Sequence, residues 1–378
     1  MSKGDQRALL WLCCAAICWR WFVGLRAPLP GVDACRDLWL AEQLAAGQFA
    51  SLVDRAWEPL YGLLLAPALA LGATPFAAAQ VAACLLGGLA LVPIAMAAER
   101  LREGAGVPAA AIAMAAAGPV VAAGAGSATS MFVLLSAFSL WAYAARRFVL
   151  SVGLLLVVIA GGTDQVASHP IPGFEQLRYG LGASVVLLPL LLLSPRARRF
   201  AAPALVLLAL LVVAASVDAW TTLLPVHSAV LAVLAGLGLA RLPLRVRDLL
   251  LALVVAAECH AAWTLGEPEA AVVERILPRY LLSRVHEEGQ VVLSTMPRVR
   301  WAAGLNPAVA AKSLSQLSGE LSGPRASRHV GSIVMTEVEA KDASMRALLA
   351  SSFERAELPP NLQDLLDAHG LSVLCRRR

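Results

Sequence analysis

A succession of apolar runs of 15 to 22 residues occupies most of the first 265 residues and leaves few architectures open. The runs cover 8–26, 76–97, 106–123, 131–145, 148–162, 179–194, 201–217, 222–240 and 249–265. A helix satisfies its own backbone hydrogen bonds, so stretches of this kind can stand in hydrocarbon. Composition decides whether they are core helices or spans. The chain of 378 residues is 59% hydrophobic and 15% charged, with mean hydropathy +0.70. A soluble domain does not expose that balance. The expected fold is an α-helical polytopic membrane protein with about nine transmembrane helices.

The basic residues give those spans a direction. Lys3 and Arg7 precede the first run, Arg100 and Arg102 follow the second, and Arg146 and Arg147 follow the fourth. Arg196, Arg198 and Arg199 follow the sixth, and Arg241, Arg245 and Arg247 follow the eighth. Counted through the spans, all of them fall on one side. Loops between spans leave only Arg26, Arg36, Arg55 and Arg178 for the other. Lys and Arg collect in cytoplasmic loops, so the N-terminus is expected inside and the C-terminus outside. The net charge of +5 then follows from orientation and implies no nucleic-acid partner. The first run keeps Arg20 and is followed by no small-residue cleavage site, which predicts a retained helix in an inner (plasma) membrane.

Residues 58–73, "EPLYGLLLAPALALGA", are apolar enough to mimic a span, but a crossing there would move every later basic loop to the wrong side. They are therefore expected to lie at the outer membrane surface, with Glu58 and Tyr61 near the headgroups. The first outer loop would run over 27–75 with two surface helices, near 35–47 and 58–72, and belong to a transmembrane domain of residues 1–265.

After Leu265 the charge density becomes ordinary, and residues 266–378 are expected to form a small α/β domain outside the membrane. "QVVLST", "GSIVMTE" and "LSVLCR" read as strands; 307–321, 338–351 and 360–369 read as helices. Seven cysteines show neither metal spacing nor a disulfide framework. Cys35 and Cys375 would share the outer side, which leaves a bridge between them open.

The outer loop carries "DACRDLWLAEQLAAG" (Asp33 to Gly47) and then "WEPLYGLLLAP" (Trp57 to Pro67). With the order of spans, this resembles the GT-C membrane glycosyltransferases, in the branch of protein O-mannosyltransferases and lipid A aminoarabinose transferases. That branch shows an acidic pair followed by a pattern like "YLALARNLAEG", and later a "PPLY" or "EKP" element. "VVLSTMPRVRWAAGL" in the tail resembles the segment that follows the last span in these proteins. The likeness covers about the first 150 residues and the tail. Two departures stand out: Ala34 follows Asp33 where a second acid is usual, and "GAGSATSMF" after the third span carries no acid.

The resemblance implies an inverting transfer of a sugar from a polyprenyl-phosphate donor, in contact with membrane lipids, to an acceptor glycan, lipid or protein on the outer face. A carboxylate must take the acceptor proton, and Asp33 is expected to do so; helix capping is the plain alternative for an aspartate there. The leaving lipid phosphate needs positive charge, which Arg36 and Arg178 offer. Asp37, Glu58 and Tyr61 are assigned to substrate binding, with Asp164 and His169 of the loop "GGTDQVASHPIPGFEQLR". His169 with Asp164 or Asp33 offers ligands to a divalent ion, but without regular spacing the metal stays open. Glu258 and His260 lie near the outer end of the last span, and Asp218 and His227 near the eighth.

Nucleotide-loop, esterase, zincin and dinucleotide signatures are absent. Two further classes stay open. A non-catalytic relative that scaffolds lipid-linked glycans is compatible with the missing acids. A transporter would need spans broken in paired positions and several buried charges.

Overall fold

The structure, a computed structural model, describes residues 1–26, 32–48, 59–123, 128–162, 220–264, 277, 291–294, 299, 301, 330–336, 353–356, 358–368 and 370–376. These residues are mostly helical. The helices are α1 (Lys3–Arg26), α2 (Val32–Ala45), α3 (Pro59–Ala70), α4 (Pro75–Leu89), α5 (Leu91–Leu101), α6 (Gly106–Ala123), α7 (Thr129–Ala144), α8 (Phe148–Gly162), α9 (Trp220–Leu239) and α10 (Leu244–Thr264). The runs at 179–194 and 201–217 lie outside the described residues.

Two helical stretches are long and apolar enough to cross a membrane among the described residues, Lys3–Gly24 and Pro75–Leu101. The second is α4 and α5 in series. Pro93 has no N–H and its ring crowds the carbonyl four residues back, and α4 ends there, at Leu89. Ala90 stays in the right-handed helical region, and its N–H donates to the Leu86 carbonyl at 3.0 Å, so the rod continues through the junction.

The chain divides into two compact units, one of Met1–Pro28 with Leu40–Gly266, the other of Leu29–Trp39 with Glu267–Arg378. In the first, α6 packs against α1, α5, α9 and α10. Its core is rich in alanine, including Ala95, Ala109, Ala110, Ala232 and Ala235. Small residues let helix backbones approach closely. At Gly236 a Cβ would come within 2.6 Å of the Ala109 Cβ, so this crossing of α9 over α6 needs glycine. The turn between α7 and α8 places Arg146 at φ 61°, and the Ser139 hydroxyl donates to the Ser151 carbonyl at 2.8 Å across that hairpin.

The second unit contains a four-stranded mixed sheet in the order β1-β2-β4-β3, formed by β1 (Val291–Ser294), β2 (Val330–Thr336), β3 (Phe353–Arg355) and β4 (Leu371–Arg376). β1 runs parallel to β2; the β2–β4 and β3–β4 pairs are antiparallel. Helix α11 (Pro360–Ala368) buries Leu362 and Leu366 with Val334, Leu371 and Val373. Pro360 starts it, where a missing N–H costs nothing. Gly370, at φ 62°, supplies the left-handed turn into β4. Arg355 Nη2 meets Asp367 Oδ1 at 2.6 Å, and Gln363 Nε2 donates to the same oxygen at 2.9 Å, joining β3 to α11. The stretches 307–321 and 338–351, read as helices from the sequence, lie outside the described residues.

Candidate functional site

Helix α2 carries the acidic cluster. "VDACRDLWLAEQLA" has no proline or glycine, and its end is set by Gly47 at φ 79°. There the Gly47 N–H donates to the Leu44 carbonyl at 3.0 Å and Gln48 N–H to the Gln43 carbonyl at 2.9 Å, a left-handed stop that satisfies the last carbonyls. The helix begins at Val32, three residues earlier than its apolar pattern suggests. Position 33 therefore lies inside the first turn, where the helix dipole favours a carboxylate.

Burial marks one face of α2. Ala34, Leu38, Ala41 and Leu44 are buried at helical spacing, and Asp37 shares that face at 5% exposure. Positions 33 and 37 stand one turn apart, the separation at which helical side chains become neighbours. Asp37 has an interaction partner. Farther along, Glu42 is half-buried, and burial pushes its carboxyl above the usual range. Leu40 and Leu44 crowd Gly62 of α3, where a Cβ would meet each of them at 3.3 Å.

Tyr61 of α3 is fully buried, and its hydroxyl donates to the Ala79 carbonyl of α4 at 3.3 Å. The phenol, expected near lipid headgroups, anchors one helix on the next. Of the other sequence-derived site residues, Asp33 and Arg36 are placed on α2 by their backbone alone. Glu58, Asp164, His169 and Arg178 lie outside the described residues, as does Asp218. His227 falls on α9, and Glu258 and His260 on α10. Cys35 and Cys375 are not joined by a disulfide. Among the described residues no group of three His, Cys, Asp or Glu side chains could hold a metal ion.

Two polar features carry more structure than the sequence suggested. Arg20 of α1 is 3% exposed, lies near Cys84 of α4, and has its Nε buried without a hydrogen-bond partner. One turn away, Gln80 Nε2 donates to the Gly24 carbonyl at 2.9 Å. Polar residues at 80 and 84 followed by Gly87 in an otherwise apolar run are the signal that reveals this seam. The second feature is the end of the bundle that joins the α5–α6, α7–α8 and α9–α10 turns. There the Arg100 and Arg147 guanidinium carbons each stand 5.7 Å from the Trp141 ring centroid. Burial and the charge of Arg241 lower the Arg102 pKa.

The chain matches no family model, no curated protein and no solved structure. The likeness to GT-C enzymes therefore rests on the residues quoted from the sequence.

Proposed function

We propose that the chain is a polytopic membrane glycosyltransferase of GT-C type. It moves a sugar from a polyprenyl-phosphate donor to an acceptor outside the membrane, with Asp33 as the base. The observation that carries this reading is the acid-bearing helix α2, which follows a long apolar helix and keeps Asp37 buried one turn from position 33. A carboxylate held out of water a turn from the base stands in for the acid that Ala34 lacks. Apolar helices follow at 106–123, 129–144 and 148–162, and the tail carries a mixed sheet, an order consistent with about nine spans and an outer domain. The gathering of Arg100, Arg102, Arg147 and Arg241 at one end of the bundle supports a cytoplasmic assignment for that end.

A second reading, a non-catalytic relative that holds lipid-linked glycans, is favoured by Ala34 and by the acid-free stretch 124–132. Transfer from a panel of radiolabelled polyprenyl-phosphate sugars, in membranes carrying wild type or Asp33→Asn, separates the two. The enzyme reading expects a loss of about a hundredfold or more in the variant, the usual contribution of a positioned base. Equal transfer by both removes Asp33 from the mechanism. No transfer by either supports the scaffold.

A further inference from the structure

Four arginines from three turns lie at one end of the first unit, with Glu99 and Glu103 in the same α5–α6 turn. Arg100 lies in the last turn of α5 and Arg102 just beyond it; Arg147 follows α7 and Arg241 follows α9. The Gly236–Ala109 crossing brings the end of α9 beside the start of α6, which sets Arg241 and Arg102 within range of each other's charge. Among the described residues none of the four forms an ion pair. Arg241 Nε is also buried without a hydrogen-bond partner. Glu99, the acid of α5, is already engaged. Its Oε1 stands 3.3 Å from the N-terminal ammonium, and its Oε2 accepts the Gly104 and Gly106 N–H groups at 3.1 and 3.2 Å.

Beside this cluster a cavity of about 530 Å³ opens between α1 and α5. Leu9, Leu10 and Cys13 line one side and Val92, Met96 and Arg100 the other, and Met1, Gln6 and Glu99 complete the lining. Arg100 thus belongs both to an apolar groove and to the arginine cluster. That juxtaposition sets a mostly apolar groove beside a group of arginines, the two chemistries an anionic phospholipid requires.

We infer that this end of the bundle binds one anionic glycerophospholipid of the adjacent leaflet, with its phosphate at Arg102, Arg241 and Arg100 and an acyl chain in the α1–α5 groove. Guanidinium forks match phosphate oxygens two at a time. Basic pockets between membrane helices take anionic headgroups. A zwitterionic lipid brings its own cation and offers the four arginines no net negative charge. The site rests on the membrane reading of the bundle and is independent of sugar transfer.

The full chain, purified in a neutral maltoside detergent, is titrated with phosphatidylglycerol, with phosphatidylcholine of the same chains, and with inorganic phosphate. Retained lipid is counted by native mass spectrometry. Phosphatidylglycerol is expected to bind saturably and the other two not to compete. Removing one arginine, Arg102→Gln or Arg241→Gln, weakens binding about fivefold. Met96→Trp, which fills the groove, also weakens it. Arg146→Gln, exposed at the same end but off Trp141, leaves it unchanged. The melting temperature without lipid verifies that each variant is folded, and the two single arginine variants and Met96→Trp test the site separately. Equal retention of both lipids overturns the inference, and so does an Arg146→Gln loss as large as that of Arg102→Gln. Displacement by inorganic phosphate alone removes the acyl chain from it. A chain that purifies as a monodisperse species without detergent contradicts the membrane reading instead.

Discussion

The Arg20 guanidinium occupies the space that a side chain at Gly87 would need, so the glycine on α4 is what admits the arginine on α1. A Cβ at position 87 would overlap Nη1. Gly87→Ala should therefore cost about 1–3 kcal/mol, the usual penalty for overpacking a core, read as a lower melting temperature in detergent. Adding Arg20→Met should recover most of the loss, because the shortened group vacates the space. Equal losses in the single and double variants would place the effect elsewhere than at this contact.

The Tyr61 hydroxyl gives a second link, from α3 to α4. Tyr61→Phe keeps the ring and removes the bond to the Ala79 carbonyl. A loss of about 1 kcal/mol is expected, again as a lower melting temperature. Under the proposed function, sugar transfer should persist, since the phenol bonds to the α4 backbone within the fold.

Glu42 makes stability depend on pH. Burial raises its folded pKa above the ordinary glutamate value, so the folded state holds its proton over a window where the unfolded state has released it. The stability contributed by the protonated form is complete below the unfolded value and is lost as pH climbs through the folded one. Glu42→Gln should stabilise the protein at neutral pH and flatten the melting temperature between pH 4 and 7. A variant that melts lower than wild type at pH 7 would show that the carboxylate is compensated.

Much of the helical order was legible because apolar runs report directly on helices. The run 148–162 coincides with α8, and 106–123 with α6. The second run, 76–97, read as one span, extends to Leu101 and changes helix at Ala90, because the effect of Pro93 falls four residues upstream of itself. Strands β1 and β4 lie within "QVVLST" and "LSVLCR", and β2 begins one residue before "GSIVMTE". β3 escaped because "FER" is three residues long with two charges; only its pairing with β4 makes it a strand. The candidate site was legible in its residue types but not in its burial. Nothing in "DACRD" says that position 37 faces inward, which follows from the packing of Ala34, Leu38 and Ala41. The arginine cluster was visible as a one-sided distribution. That Arg100 and Arg147 both stand over Trp141 is a tertiary fact that no run of sequence contains.

Orientation is the claim on which the rest depends, since a base acting on an outer acceptor must be outside. Single cysteines at Gln48, just past α2, and at Gly104, between α5 and α6, in a chain with its native cysteines replaced by alanine, read it directly. Both positions are exposed. A membrane-impermeant maleimide added to intact cells should label Gln48→Cys, and reach Gly104→Cys only after permeabilisation. The reverse pattern, or equal labelling of both in intact cells, would contradict the account.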